Sequence, residues 1–310
     1  MTFLTDAVSR LTSSLAGLFG TDDFIVTGTI AIVIVSLMCG TVGSLVISNR
    51  MAFFSDALAH CAIAGVTLGL IIELKAALGS PDRTVGGFAL LITVAFGALV
   101  GIGIAYVREK TALGSDTVIG VFFAGALGLG AVLFGILKQI SNMDVDQLLF
   151  GSPNFLSEID LVRLAGVAIL TALLVGARYN QLVFASFNPS LARSRRIPMR
   201  AYNYLFIILL ALIVNVCLLT VGALLINAML IVPAATANNV SRNMRQMFWW
   251  SIGLSLFSGL AGQWTSLWIP SLIGTKRFAV GTAGCVIIIS VLCFGVSMIA
   301  SRWMKGRQSR

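Results

Sequence analysis

The stretch FFSDALAHCAIAGVTLGL, Phe53–Leu70, decides how this chain is read. It is apolar, contains glycine and is of bilayer-crossing length, yet it carries an aspartate and the one histidine of the sequence. On a helix, Asp56 and His60 are four residues apart and share a face, and Thr67 lies further along it. An ionisable group at membrane depth costs about 2.5–3.5 kcal/mol on insertion scales, so it faces a cavity or a partner. A carboxylate and an imidazole are together ligands that a divalent first-row metal accepts. The same residues also suit a packing pair, the imidazole hydrogen-bonding the carboxylate. On residue types alone the two readings stand level.

Outward from this stretch the composition agrees with a membrane setting. The 310 residues are 58% hydrophobic and 11% charged, with mean hydropathy +0.98; a soluble domain has about 25% charged residues. The apolar runs are continuous rather than alternating, which excludes an outer-membrane barrel. The spacing therefore predicts an all-α polytopic bundle of about eight to nine spans. The net charge of +9 does not imply nucleic acid, because the basic residues sit in short connections and at the C-terminus, as the positive-inside rule requires. Cys39, Cys61, Cys217, Cys285 and Cys293 fall inside apolar runs without zinc-site or disulfide spacing, and read as small core residues. Cys61 follows His60 directly, but the next helical position points about 100° away.

In chain order, residues 1–23 read as a surface segment without a signal-peptide pattern. The first span is 24–48, with Gly40 and Gly43 allowing close packing, and Asn49-Arg50 turns into the second. Glu73–Arg83 reads as a loop and 84–107 as the third span, closed by Arg108, Glu109 and Lys110. The fourth, 117–137, holds Gly120, Gly125, Gly128, Gly130 and Gly135, more than helix propensity favours, and reads as packed closely on its neighbours. An acidic connection, 138–160, precedes the fifth span at 161–177.

Next comes the most basic connection, with Arg178, Arg193, Arg195, Arg196 and Arg200. Asn188-Pro189 can start a short helix there and Ile197-Pro198 can end it, a form suited to docking another subunit. Residues 201–240 are too long for one span. Gly222 and Pro233 divide them into a sixth, 204–221, and a short or re-entrant seventh, 223–237. Asn227, Thr236 and Asn238 are candidate pathway lining there; Asn at such places also serves as helix–helix glue. Trp249, Trp250, Trp264 and Trp268 mark both ends of the eighth span, 248–268, and 278–299 is the ninth. Two passes across 201–240 bring Arg242, Arg245 and the basic C-terminal tail to the cytoplasm and leave the N-terminus outside. A P-loop, a nucleophile elbow and a histidine-rich metal cluster are all absent from the sequence.

Five stretches in order carry a resemblance: FFSDALAHCAIAGVTLG (53–69), SDTVIGVFFAGALGLGAVL (115–133), DQLLFG (146–151), FNPSLARSRRIPMRAYNYL (187–205) and GALLINAMLIVPAATA (222–237). Together they resemble the membrane permeases of metal-ion ABC importers, over roughly residues 24–301. The resemblance implies a fold similar to the cobalamin and siderophore permeases. It also implies Zn²⁺ or Mn²⁺ as transported cargo, with no permanently bound cofactor. Partners would be a cytoplasmic ABC ATPase, an extracytoplasmic metal-binding protein and a second permease. It makes Asp56 and His60 the metal residues; Thr67, from its place on their helix face, and Asn227, from its place in the 223–237 segment, read as pathway lining.

The family's coupling segment matches Asn188, Pro189, Arg193, Arg195, Arg196 and Pro198, so 187–200 becomes the dock for the ATPase. The permease domain is then 24–301, followed by a basic cytoplasmic tail, 302–310, in a multi-pass protein of the cytoplasmic (inner) membrane. The family usually has Ser and Pro where this chain has Ala59 and Ala64, and Ala-Leu-Gly where it has Arg193-Ser194-Arg195-Arg196. Alternatives are a siderophore or cobalamin permease, an ATP-independent secondary cation transporter, and a non-transporting membrane scaffold. The first should prefer a wide, uncharged pathway over a His–Asp pair.

Overall fold

A computed structural model of the chain describes residues 9, 12–14, 17, 23–77, 87–111, 113–140, 156–187, 198–273 and 281–308. From Asp23 onward the described residues form nine helices and no strand. They are α1 (Asp23–Ser48), α2 (Ala52–Ala77), α3 (Gly87–Lys110), α4 (Ser115–Ile140), α5 (Glu158–Phe187), α6 (Met199–Val221), α7 (Ala223–Val240), α8 (Met244–Ile273) and α9 (Thr282–Gln308). All but α8 are long and apolar enough to cross a membrane by length and composition. In α8 the inward positions Ser251, Ser255, Ser258, Gln263 and Ser266 are buried, which lowers the hydropathy of a helix that is long enough at 30 residues. All four of its tryptophans are exposed.

The chain divides into two compact units. One comprises Met1–Arg50, Phe150–Tyr179 and Thr220–Arg310, the other Met51–Leu149 and Asn180–Leu219. In the first, α1 and α8 pack closely, Ser251 donating to the Gly40 carbonyl at 2.8 Å, and α7 packs on α1, α8 and α9. In the second, α2 packs on α3 and α4. Here Gly69 lets two backbones meet, because a methyl at this position would stand 2.8 Å from both the Cα and the carbonyl oxygen of Ala89.

Local chemistry explains most boundaries. After α1, the Asn49 and Arg50 amides donate to the Leu45 and Ile47 carbonyls at 3.0 Å each. Arg50 takes φ 54° to complete that turn. Gly222, at φ 88°, separates α6 from α7 in the left-handed region that glycine adopts without a Cβ penalty. Pro233 does not break α7. The helix is short, at 18 residues, and runs unbroken through the proline; a buried proline is tolerated where neighbouring helices surround the freed carbonyl.

Several expected edges move. Glu73–Ala77 is helix rather than loop, with Glu73 reaching the start of α3. The fifth span extends to Phe187, taking in Arg178 and the first part of the basic connection. The backbone helix of α9 runs on through the basic tail to Gln308. The fourth span departs furthest from expectation. Of the α4 glycines, only Gly130 faces a neighbour, a methyl there standing 3.5 Å from the Ala64 Cβ, while a methyl at Gly120, Gly125, Gly128 or Gly135 would meet nothing within 4 Å among the described residues. Composition shows that a helix is small-sided, not which side the rest of the chain covers.

Candidate functional site

Asp56 and His60 lie within the first three turns of α2, just after the Arg50 turn. Around them Ala57, Leu58, Ala59, Cys61, Ala62 and Ala64 are fully buried, so the helix is held on its far sides while the pair stays accessible. The side chain of His60 is 24% exposed and that of Asp56 41%.

The two side chains stand within ion-pair range of each other without a direct hydrogen bond between them. His60 Nδ1 lies 3.6 Å from Asp56 Oδ1, beyond hydrogen-bonding range. It lies 3.0 Å from the backbone oxygen of Asp56. A carbonyl only accepts, so the proton of that bond belongs to Nδ1. In the neutral ring this puts the lone pair on Nε2, the form in which imidazole binds a metal, with its other nitrogen donating to an oxygen. The ring also meets Phe123 of α4 nearly edge-on, centroids 4.9 Å apart at 67°. Arg50 apart, the described residues place no cation-bearing side chain within eight positions of the pair on α2.

Among the described residues no third His, Cys, Asp or Glu joins Asp56 and His60 in a group able to hold a metal ion. Among the described residues, then, an ion placed here would find the two side chains of this pair, half of a four-coordinate shell. Thr67, on the same helix, is fully buried, and its hydroxyl donates to the carbonyls of Ile63 and Ala64 at 2.9 and 3.0 Å. It packs inside the helix contact rather than facing open space. Ala64, where the family usually has proline, rests against Gly130.

Asn227 and Thr236 are on α7. Asn227 is half-buried; Thr236 is buried and donates to the Val232 carbonyl at 2.7 Å. Asn238 is exposed. Asn188, Pro189, Arg193, Arg195 and Arg196 lie outside the described residues, as do the DQLLFG stretch and the short helix expected at 188–197. Pro198 is described and exposed, immediately before α6.

Three residues that the sequence reading passed over take part. Phe123 touches the histidine. Glu109, at the end of α3, receives Arg200 Nε at 2.5 Å and the Tyr204 hydroxyl at 3.5 Å, tying α3 to the first turns of α6. Glu73 accepts the Ala89 amide at 3.2 Å, a carboxylate at the positive end of α3. The i, i+4 spacing of Arg200 and Tyr204 was a visible signal for the second; nothing in the sequence singled out Phe123 among 19 phenylalanines.

An all-helical polytopic membrane protein with one acid–imidazole pair on a buried helix is the class that fold and site define. The family model of the ABC 3 transport family matches residues 21–301, and the chain belongs to that family. It is 30% identical over 274 residues to the manganese import system permease protein ScaB of Streptococcus gordonii, covering 88% of this chain and 90% of that one. It is 27% identical to the high-affinity zinc uptake system membrane protein ZnuB of Haemophilus influenzae, over 86% of this chain and 93% of that one. Among solved structures it is similar to PsaBC from Streptococcus pneumoniae in complex with Fab, with TM-score 0.75 and 28% identity over 95% of this chain and 99% of that one.

Proposed function

We propose that this chain is the membrane-spanning permease, residues 24–301, of an ATP-driven importer of divalent metal ions, with Zn²⁺ or Mn²⁺ as cargo. The observation that carries the reading is the state of the acid–imidazole pair. The Asp56 carboxylate is not hydrogen-bonded to the imidazole, and the Nδ1–H bond to the Asp56 carbonyl puts the lone pair on Nε2. Relatives named for manganese and for zinc support the cargo class. Imidazole favours zinc and carboxylate suits either ion, so the donor set leaves both.

Energy comes from a separate ABC ATPase docked on the 187–200 segment. Glu109, Arg200 and Tyr204 connect the end of that segment to α3. An extracytoplasmic binding protein delivers the ion. A second copy of the permease supplies ligands that the described residues of one chain do not, and the exposed small-residue stripe Gly120, Ala124, Gly128, Ala131 and Gly135 of α4 is the face we assign to it, since such stripes let membrane helices approach closely. The chain sits in the cytoplasmic membrane, N-terminus outside and C-terminus inside, as its basic residues require. Few ligands per chain suit transport, because conduction needs an ion held weakly enough to leave.

The test is metal-resolved uptake by the chain reconstituted with its ATPase and binding protein. Asp56→Ala and His60→Ala should each abolish uptake of the cargo ion while the complex still assembles. Wild-type uptake in both variants would remove the site.

A further inference from the structure

We propose that Phe123 is a positioning residue for ion capture, fixing the His60 imidazole in one orientation and one tautomer so that Nε2 is presented to the ion. The inference rests on Asp56 and His60 being the ion's ligands. Two contacts define the ring. Its Nδ1–H donates to the Asp56 carbonyl at 3.0 Å, and its body stands nearly perpendicular to Phe123 at 4.9 Å. Turning the imidazole over would break the first contact, and swinging it away would break the second. The backbone beneath cannot follow either motion, because Ala57, Ala59, Cys61 and Ala64 are fully buried on the same helix.

Phe123 is itself held in place. Its neighbour Phe122 lies over Gly103 of α3, where a methyl would stand 3.1 Å from the ring. Further along α4, Gly130 faces Ala64 of the site helix, so that a methyl at 130 would stand 3.5 Å from the Ala64 Cβ. The helix that carries Phe123 is thus keyed to both α3 and α2, on either side of the ring contact. An aromatic face fits this position for a chemical reason. It restrains a planar neighbour by shape and weak edge attraction and adds no competing ligand atom for the metal.

His60 is the one histidine of the sequence, so the ¹⁵N-histidine-labelled chain, purified through a histidine-free tag and assembled with unlabelled ATPase, gives a single imidazole to observe. The ion-free wild type should show the Nδ1–H tautomer. Phe123→Ala and Phe123→Leu should give a tautomer mixture and bind Mn²⁺ or Zn²⁺, titrated alone, about 10–100-fold more weakly, the effect usual for losing a group that orients a metal ligand. Phe123→Trp should restore both readings. A wild-type tautomer and affinity in Phe123→Leu would overturn the proposal, and this variant keeps most of the volume if Phe123→Ala fails to fold. His60→Ala separates the two levels of the argument. If it binds the ions as wild type does, the ligand reading itself fails. If it loses binding while Phe123→Leu keeps it, only the role of Phe123 fails.

Discussion

Replacing Gly69 with alanine tests whether the wall behind the candidate site is built from backbone contact. The added methyl would stand 2.8 Å from the Ala89 Cα and 2.8 Å from its carbonyl oxygen. Carbon atoms settle at about 3.5–4.0 Å, so the shortfall is about 0.7–1.2 Å. It falls on main chain, which cannot rotate aside as a side chain does, so α3 must withdraw from α2. Overpacking of this kind costs about 1–3 kcal/mol, and alanine in a helix interior returns about 0.5–1 kcal/mol relative to glycine. Gly125→Ala is the matched control. A methyl there meets nothing within 4 Å, so only the helix gain remains. The two variants should therefore differ by about 1–3 kcal/mol, with Gly69→Ala the less stable, in unfolding midpoints of the detergent-purified protein. Equal midpoints, or a more stable Gly69→Ala, would refute the close approach. Because α3 also meets the site helix at Gly65, beside Thr93, Gly69→Ala should lower uptake as well.

Glu73→Ala removes the acceptor of the Ala89 amide and should cost about 0.5–2 kcal/mol, as losing a helix cap does. Glu73→Gln keeps an acceptor and gives up only the charge at the helix end, about 0.3–1 kcal/mol, so midpoints should fall in the order wild type, Gln, Ala. Gly128→Cys, in a Cys293→Ser background to remove the one partly accessible native thiol, should cross-link to a dimer under mild oxidation in membranes. Monomer alone, under conditions where the complex is assembled, would take the second copy off that face of α4.

Reading outward from residues 53–70 gave the helical bundle because continuous apolar runs leave the backbone no other way to satisfy its polar groups in lipid. The Gly222 break was legible for the same kind of reason: forty nearly uncharged residues exceed one crossing, and glycine is the residue that turns the chain. Helix ends were less legible. Glu73 looked like the start of a loop, yet it stays helical and uses its carboxylate on the next helix, a tertiary role that local composition does not encode. The α4 glycines show the same limit from the other side, since their spacing was readable and the absence of a neighbour over four of them was not.

The site pair was legible as a pair and not as a geometry. Four-residue spacing puts Asp56 and His60 on one face, but the same spacing also brings the His60 ring to the carbonyl of residue 56, which has a second lone pair beyond its helical bond. The ring takes that carbonyl at 3.0 Å and leaves the carboxylate at 3.6 Å. A mutual hydrogen bond would have tied up both ligand groups. Bonding to the main chain instead orients the imidazole and leaves Nε2 with its lone pair, while the carboxylate stays within ion-pair range of the ring at 3.6 Å. Because the orienting acceptor is backbone, no substitution at position 56 removes it. Asp56→Asn should thus leave the His60 tautomer unchanged while weakening ion binding, and a changed tautomer in that variant would mean the carboxylate, not the carbonyl, orders the ring.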